Sequence, residues 1–420
     1  MRTTRAVKAF TALSLAGLLV AACGGDDDDD AASTTAPAAE TTAAAADTTA
    51  APGTTSGGST APSTGGLKVD VANCTAPSGA DVKLQLQWFT QAQFGGYFAA
   101  VEQGFYEDEG LNVEIVEGGV EIQPQKTLAS GAVDFAISWV PKALAEREAG
   151  AKVTNIAQIF QRSGTLQVSF KDAGITSAAD FAGKKIGNWG FGNEYEIFAA
   201  LAKAGLDPAS DVTLIQQNFD MAGLLAGDID AAEAMTYNEY AQVLEAVNPD
   251  TGELYTADDL NVVSYEEEGV GMLQDAIWAD EARLSDPAYC GEALAFVKGS
   301  IKGWAYCRDN VDACRDIVVA KGSTLGATHQ LWQMNEINKL IWPAEGGVGY
   351  IDPDAYARTI EIASGTPNLD GATVLTKAPD DTAWTNDIVT AALQQLGDEG
   401  VDVNGSSYAP IEVTLTEGGA

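Results

Sequence analysis

The sequence predicts an α/β protein of two lobes joined by two crossover segments, with a helical C-terminal extension and a disordered N-terminal tether. Three observations support this prediction. Short strand patterns alternate with amphipathic helical patterns from residue 82 onward. The alternation starts a second time after residue 170, which indicates a second lobe. Residues 23–80 lack the apolar content that a folded core requires.

Residues 1–22 have the composition of an export signal. Arg2, Arg5 and Lys8 form a basic start, and the apolar run 9–19 is shorter than the roughly 20 residues that span a bilayer. The run leads to Val20–Cys23, which resembles the bacterial lipobox. The resemblance implies cleavage before Cys23 and lipidation of its sulfur; an ordinary signal peptide with an incidental cysteine is the alternative. We expect a lipid-anchored protein on the extracytoplasmic face of the bacterial cell membrane.

Residues 23–80 form the predicted tether, which is rich in Ala, Thr, Asp and Gly. Such a composition cannot bury enough surface to fold. The whole chain has 60 acidic against 23 basic residues and a formal charge of −37. Because nucleic-acid binding needs a basic surface, nucleic acid is excluded as a partner.

A first round of strands and helices begins lobe I, to which we assign residues 81–170 and 265–420. The predicted strands are 82–88, 112–116, 134–139 and the long extended stretch 153–170, and the predicted helices are 95–106, 122–130 and 141–149. Short strands joined by helices predict a parallel sheet that is covered on both faces.

A second round of the same kind predicts lobe II, residues 171–264. Its strands are 185–188, 212–216 and 231–235, and its helices are 194–204, 221–226 and 239–247. Lobe I is then completed by a strand-like stretch beyond residue 261 and by helices at about 291–307, 311–321, 327–341, 353–363 and 382–396. Crossings near 168–175 and 262–273 predict a hinged clamp with its ligand between the lobes at the strand ends.

The cysteine count fits an exported protein. Besides Cys23 the chain has Cys74, Cys290, Cys307 and Cys314, an even number that allows three pairings. We favour a Cys307–Cys314 disulfide because 303–308 is typical of a helix end and Asn310 of the N-cap of the next helix, so that the two thiols meet across a helical corner. The pairing of the other two stays open. No cysteine or histidine pattern has zinc spacing, so we predict no metal site.

Six short motifs give the chain a family resemblance. They are Gln87–Tyr97, Gly104–Leu111, Gly131–Phe135, Gly183–Gly187, Gly227–Ala231 and Tyr237–Glu239. In this order they resemble the NMT1/THI5-like (SsuA-related) substrate-binding proteins of ABC importers, over residues 82–300 with a weaker extension beyond. The resemblance implies a periplasmic-binding-protein type II fold and delivery of a small ligand to a membrane permease. We expect the protein to be a monomer.

Within that family, the motifs look most like those of thiamine-pyrimidine-precursor and riboflavin carriers. A flat heteroaromatic ligand needs aromatic faces for stacking, and amide or carboxylate groups for its ring nitrogens and amino groups. The aromatic candidates are Trp88, Phe94, Tyr97, Trp139, Trp189 and Tyr237. The polar candidates are Gln91, Gln93, Asn193, Asn238 and Glu239. The alternative for each is a structural role, which for Glu239 is to stabilise the dipole of the helix that it begins.

The same family contains an enzyme, the pyrimidine synthase of thiamine biosynthesis, which consumes pyridoxal phosphate and a histidine with the help of iron. The positions that match the enzyme's lysine and histidine are Ser138 and Lys142 here, and its cysteine-rich iron segment is not matched. The only histidine, His329, falls in a predicted C-terminal helix, where a partly exposed structural role is expected. We therefore predict no catalytic residue, no cofactor and no enzyme activity, with a synthase-like enzyme as the alternative.

Two other functions remain as alternatives. A sulfonate- or nitrate-type carrier would use the loop of Gly187, Gly190 and Gly192, whose backbone N–H groups can bind an anion. Glu194 and Glu196 at the start of the next helix would repel that anion, so we rank this alternative lower. An adhesin is compatible with the anchor and the tether but leaves the two-lobe pattern unexplained.

Overall fold

The computed structural model describes residues 66–190 and 192–419. The expected signal peptide, the lipidation site at Cys23 and the tether up to residue 65 lie outside these residues. Within the described part of the chain, no helix is both long enough and apolar enough to cross a bilayer.

The last part of the expected tether, residues 66–80, is packed on lobe I. The backbone N–H of Leu67 donates to the carbonyl of Trp384 (2.7 Å), and Cys74 forms a disulfide with Cys290. Leu67 and Val69 also lie against the apolar core. The predicted end of the tether at residue 80 is therefore wrong, because these few apolar residues and the disulfide attach the segment to the folded part.

The described residues form ten β-strands and twelve α-helices. The strands are β1 (Ala80–Gln85), β2 (Leu111–Val116), β3 (Phe135–Trp139), β4 (Val153–Gln158), β5 (Thr165–Phe170), β6 (Lys185–Asn188), β7 (Thr213–Gln216), β8 (Ala232–Met235), β9 (Leu260–Ser264) and β10 (Asp275–Asp280). The helices are α1 (Gly95–Glu102), α2 (Phe105–Asp108), α3 (Pro124–Ala129), α4 (Val140–Glu148), α5 (Tyr195–Ala204), α6 (Ala222–Leu225), α7 (Glu239–Leu244), α8 (Pro287–Asp309), α9 (Val311–Ala320), α10 (Ala327–Ile341), α11 (Pro353–Gly365) and α12 (Asp387–Asp398).

The sheet of lobe I has the strand order β2-β1-β3-β10-β4. Strand β1 pairs in parallel with β2 and β3, as the sequence predicted. Strand β10 is antiparallel to both of its neighbours, β3 and β4. The prediction of a purely parallel sheet is wrong here, because the chain returns from lobe II and enters this sheet from the opposite end.

Lobe II contains a sheet of order β8-β5-β9 and the parallel pair β6-β7, which a bridge between Ile186 and Ala231 connects to β8. Strand β5 is antiparallel to both β8 and β9, so it belongs with lobe II. The extended stretch 153–170 is therefore two strands in two sheets. The first crossover is 159–164 rather than 168–175, and the second is 265–274.

Helices cover both faces of the lobe I sheet. The cores on the two faces are separate: one includes residues of α1, α8 and α12, and the other includes residues of α4 and α11. Helix α8 crosses α1 at Gly303 and Gly96, where a Cβ on Gly303 would collide with the carbonyl oxygen of Gly96. The two helices approach closely because neither carries a side chain at this point.

A second disulfide joins Cys307 and Cys314, the pair that the sequence favoured; their Cα atoms are 5.1 Å apart. The two cysteines lie on either side of the corner between α8 and α9. Asn310 stands at this corner, but its side-chain amide donates to the carbonyl of Tyr306 (3.1 Å). Asn310 is the N-cap residue of α9, as predicted, but its side chain bonds to the end of α8 rather than to an N–H group of α9.

Candidate functional site

A cavity of about 410 Å³ lies between the two lobes at the ends of strands from both sheets. Trp139 ends β3 of lobe I, Trp189 follows β6 and Met235 ends β8 of lobe II, and all three line the cavity. The loops at strand ends can vary without disturbing the sheet, which is why ligands of α/β proteins bind there. The size of the cavity suits a small organic molecule.

Nine of the eleven side chains predicted for the ligand line this cavity. They are Trp88, Gln91, Gln93, Trp139, Trp189, Asn193, Tyr237, Asn238 and Glu239. Phe94 and Tyr97 are not lining residues, and both are buried in the core of lobe I. Tyr97 packs edge-on against Trp304 of α8, with the ring centroids 5.6 Å apart. The structure thus places these two aromatic residues in the core and not at the cavity, because α1 is covered by α8.

Aromatic rings from both lobes meet along one wall of the cavity. The rings of Trp88 in lobe I and Phe219 in lobe II have centroids 4.8 Å apart. Phe219 in turn stacks on Trp189, at 6.2 Å and an interplanar angle of 23°. This wall offers a flat ligand an apolar aromatic surface to which both lobes contribute.

Lys142 supplies a second contact between the lobes. Its ammonium group donates to Oδ1 of Asn193 (2.6 Å) and lies 4.7 Å from the ring centroid of Trp139. Burial lowers the pKa of Lys142 to about 8, although the carboxylates of Glu233 and Glu194 act in the opposite direction. Among the described lining residues Lys142 is the one cation, and it is already paired with Asn193 and Trp139.

Behind the lining, the buried carboxyl of Asp275 holds three side chains of the wall. Its Oδ1 accepts from Nε2 of Gln87 (2.5 Å) and from Nε1 of Trp139 (2.8 Å), and its Oδ2 accepts from Nε2 of Gln93 (3.0 Å). Burial raises the pKa of Asp275 to about 7, against the hydrogen bonds from Gln93 and Trp139. The carboxyl therefore fixes which atoms of two glutamine amides and one indole face the cavity.

Glu239 lines the cavity from lobe II and is the first residue of α7. Its Oε2 accepts from the backbone N–H of Met235 (2.9 Å), and its Oε1 accepts from Nδ2 of Asn238 (2.7 Å). Burial raises the pKa of Glu239, while these hydrogen bonds lower it. The carboxyl is held in place by its neighbours and can accept a further hydrogen bond at either oxygen.

Two backbone N–H groups of the glycine-containing loop after β6 donate to carboxyl groups of the protein itself. The backbone N–H of Trp189 donates to Oε2 of Glu233 (2.7 Å), and that of Gly192 donates to Oε2 of Glu194 (2.9 Å). Gly190 and Gly192 both have positive φ, +70° and +84°, which is the conformation that glycine favours. An anion at this loop would have to displace the carboxyl acceptors that these two N–H groups already have.

Sequence reasoning missed several residues of the site. They are Gln87, Gln125, Ser138, Lys142, Glu146, Tyr195, Phe219 and Met235 in the lining, and Asp275 behind it. Phe219 follows the end of β7, so the rule that ligands bind at strand ends could have identified it. Asp275 had no such signal, because its partners Gln87, Gln93 and Trp139 are between 136 and 188 residues away in the chain.

His329 is fully buried, which corrects the expectation of a partly exposed side chain. Its Nδ1 lies 2.9 Å from Oε2 of Glu245, and its Nε2 lies 2.9 Å from Oδ1 of Asn238. His329 itself is not a lining residue. Ser138, at the position of the synthase lysine, has its hydroxyl 3.3 Å from Oε1 of Gln125. Across residues 66–190 and 192–419, no three His, Cys, Asp or Glu side chains are grouped closely enough to hold a metal ion.

Two α/β lobes with a cavity between them define the fold of the periplasmic binding proteins. The solved structure of the alkanesulfonate-binding protein SsuA from Xanthomonas axonopodis pv. citri matches with a TM-score of 0.52 and 15% identity, over 76% of this chain and 99% of that one. The family model described as NMT1/THI5 like matches residues 91–313, more than half of the chain. The chain belongs to the NMT1/THI5-like family.

Two relatives are named for what they bind. The formylaminopyrimidine-binding protein of Halalkalibacterium halodurans is 23% identical over 59% of this chain and 74% of its own length. The riboflavin-binding protein RibY of Chloroflexus aurantiacus is 27% identical over 74% of this chain and 87% of its own length.

Another relative is named as an enzyme. The 4-amino-5-hydroxymethyl-2-methylpyrimidine phosphate synthase of Legionella pneumophila is 29% identical over 32% of this chain and 42% of its own length. This match spans less than half of either protein.

Proposed function

We propose that the protein is the extracytoplasmic ligand-binding component of an ABC importer, and that it captures a small heteroaromatic compound of the thiamine-precursor or riboflavin type between its lobes. The observation that carries this proposal is the cavity itself. Aromatic rings from both lobes line it together with hydrogen-bonding amides and the carboxyl of Glu239. Stacking faces together with acceptors for ring N–H and amino groups are what such a ligand requires.

The charges around the cavity favour a neutral or cationic ligand over a sulfonate or nitrate. The lining has one lysine against the carboxyls of Glu146 and Glu239, and the buried carboxyls of Asp275 and Glu233 lie behind the wall. The loop that could bind an anion donates its N–H groups of Trp189 and Gly192 to glutamates. An anion would therefore compete with carboxyl groups for the N–H groups of the loop and would find one cationic side chain, Lys142, in the described lining.

A carrier is also favoured over the synthase of the same family. The positions that match the enzyme's lysine and histidine are Ser138 and Lys142, and the one histidine of the chain is engaged by Glu245 and Asn238 outside the lining. These residues do not fit an enzyme that consumes an active-site histidine. Pyrimidine formation in the presence of pyridoxal phosphate and ferrous iron would contradict the carrier function.

Glu239 provides the direct test of the binding site. We predict that Glu239→Gln weakens binding of a formylaminopyrimidine or of riboflavin ten- to a hundredfold, because a desolvated charge-assisted hydrogen bond contributes roughly 1.5 to 3 kcal/mol. Calorimetric titration of the wild type and the variant with both compounds measures this.

The matched control is Asp354→Asn in the first turn of α11, where the carboxylate is exposed and lies outside the cavity. Both substitutions remove a charge near a helix N-terminus, so both lower the melting temperature slightly. Only Glu239→Gln should change affinity. Equal affinity of the Glu239 variant and the wild type for every compound that binds would remove Glu239 from the site.

The membrane anchor is proposed on the lipobox sequence at Val20–Cys23. We predict that Cys23→Ser moves the protein from the membrane fraction of its own cells to the soluble fraction, because two or three acyl chains are lost. Fractionation followed by immunoblotting measures the distribution. Retention of the variant in salt-washed membranes would contradict a lipid anchor at this cysteine.

A further inference from the structure

Helix α10 contacts both lobes next to the hinge. Near its start, Oε1 of Gln330 accepts from the backbone N–H of Ala92 in lobe I (2.6 Å). Two residues further, Nε1 of Trp332 donates to the carbonyl of Thr236 in lobe II (3.0 Å). At its end, the carbonyl of Leu340 accepts from the backbone N–H of Gln161 in the first crossover (3.0 Å). The helix lies beyond residue 313, where the match to the family model ends.

One side chain of α10, that of Gln333, bonds to a lining residue of each lobe. Its Nε2 lies 3.3 Å from Oε1 of Gln91 and 2.9 Å from Oδ1 of Asn238. Gln333 is fully buried. A primary amide nitrogen carries two hydrogens, so it can serve one acceptor in each lobe at the same time.

From Gln333, hydrogen bonds continue through both lobes in a fixed direction. In lobe I, Gln91 donates to Oε1 of Gln93 (2.8 Å), and Gln93 donates to Oδ2 of Asp275 (3.0 Å). In lobe II, Asn238 donates to Oε1 of Glu239 (2.7 Å). Each series ends at a buried carboxyl that accepts.

The direction of these bonds depends on the donors of Gln333. An amide whose oxygen is occupied by a donor must turn its nitrogen toward the next acceptor. Rotating the amide of Gln91 or of Asn238 by half a turn would bring its NH₂ group against the NH₂ group of Gln333. Gln333 therefore sets the start of both series, while the carboxyls of Asp275 and Glu239 set their ends.

We propose that Gln333 is a positioning residue for the ligand site: by donating to Gln91 and Asn238 together, it sets the amide orientations of both lobes and holds Glu239 as an acceptor. His329 supports the same oxygen, since its Nε2 lies 2.9 Å from Oδ1 of Asn238. This inference rests on the proposed function for its effect on ligand affinity. The orientation of the amides themselves does not depend on which ligand binds.

The test is Gln333→Glu, which keeps the shape of the side chain and replaces the donating NH₂ group with a carboxylate oxygen. We expect the dissociation constant for a formylaminopyrimidine or riboflavin to rise at least about tenfold, because two donors are lost from a buried network. Gln333→Leu removes the donors without adding a charge and should have the same effect, which covers a Glu variant that fails to fold.

The matched control is Gln330→Glu, one turn earlier on the same helix and equally buried. Gln330 bonds to lobe I through its oxygen only, so a carboxylate can still accept from Ala92. The control adds the same charge to α10 and should leave affinity within about twofold of the wild type. Equal losses of affinity in the two variants would overturn the proposal, because a general effect of charge in α10 would then explain them.

Hydrogen exchange in the protein without ligand separates this proposal from the proposed function. The backbone N–H of Met235 donates to Glu239 (2.9 Å), so its exchange reports whether Glu239 stays in place. Both Gln333 variants should exchange several-fold faster than the wild type in the peptide covering 235–239, and Gln330→Glu should not. Unchanged exchange in the Gln333 variants overturns the proposal. If the wild type binds neither compound, the proposed ligand class fails and exchange alone decides the role of Gln333.

Discussion

A single carboxyl, that of Asp275, accepts hydrogen bonds from three lining side chains. We predict that Asp275→Ala lowers the free energy of unfolding by roughly 1 to 3 kcal/mol, since buried donors of Gln87, Gln93 and Trp139 lose their acceptor. The same change should weaken ligand binding by about tenfold because these groups no longer keep their orientation. Chemical denaturation and calorimetric titration measure the two effects.

The control for this prediction is Asp280→Ala, at the other end of the same strand. Asp280 accepts from backbone N–H groups of the following turn, those of Ala282 and Arg283, and does not line the cavity. Its loss should lower stability and leave affinity unchanged. A variant of Asp275 that binds ligand as well as the wild type would show that the wall keeps its geometry without this carboxyl.

The difference between Trp139 and Asp275 shows what the sequence could predict of the site. Trp139 stands at the end of a predicted strand that starts in the family motif Gly131–Phe135, so the local pattern points to it. Asp275 begins a strand more than 100 residues later, and its meeting with Trp139 depends on how β10 enters the sheet. Pairings across such separations are set by tertiary structure and leave no local pattern.

Glu196 of α5 ties lobe II to both crossovers. Its Oε2 accepts from the hydroxyl of Ser163 in the first crossover (3.0 Å), and its Oε1 accepts from the backbone N–H of Met272 in the second (2.6 Å). Burial raises the pKa of Glu196 to about 7, a direction that the nearby Glu266 reinforces. The contact between α5 and the hinge is therefore pH-dependent.

The sign of that dependence follows from proton binding. At pH values between 4.5, its ordinary pKa, and about 7, Glu196 holds a proton more often in the folded than in the unfolded chain. The free energy of unfolding therefore falls as pH rises through this range, by at most about 1.4 kcal/mol per pH unit for one group. Asp275 contributes with the same sign, since its pKa is also raised to about 7.

We predict that Glu196→Gln reduces the slope of stability against pH between 5 and 7, because the amide cannot titrate. Denaturation of the wild type and the variant at several pH values measures the slopes. The comparison is Glu361→Gln on the exposed surface of α11, which should keep the slope of the wild type. Parallel curves for wild type and Glu196→Gln would assign the pH dependence to other groups.

The order of strands and helices was predictable because the periodicity of apolar residues is a local property. The lobe to which β5 belongs could not be predicted in the same way. Residues 153–170 form an almost unbroken extended pattern in the sequence, whereas in the structure residues 159–164 interrupt it, and there the chain leaves lobe I. Which sheet an extended segment joins depends on its partners, here β8 and β9.

A disulfide as well as noncovalent contacts hold the N-terminal segment on lobe I. Cys74 lies before β1 and Cys290 in α8, with a sequence separation of 216. The loop that this disulfide closes contains all ten strands of the described residues, and with them the whole of lobe II. Cys307 and Cys314 are separated by only 7 residues. The two disulfides therefore constrain the unfolded chain to very different degrees.

We predict that the Cys74→Ser, Cys290→Ser double variant loses more stability than Cys307→Ser, Cys314→Ser. In the chain-entropy model, a loop of more than 200 residues is worth roughly 5 kcal/mol and one of 7 residues roughly 2.5 kcal/mol, because the longer loop removes more freedom from the unfolded state. Denaturant unfolding of both double variants under oxidising conditions measures the losses. Nonreducing peptide mapping of the wild type first establishes that both bonds are present. Equal losses, or a larger loss for the short loop, would mean that local packing at the α8–α9 corner, where Cys314 is fully buried, outweighs the constraint on the whole chain.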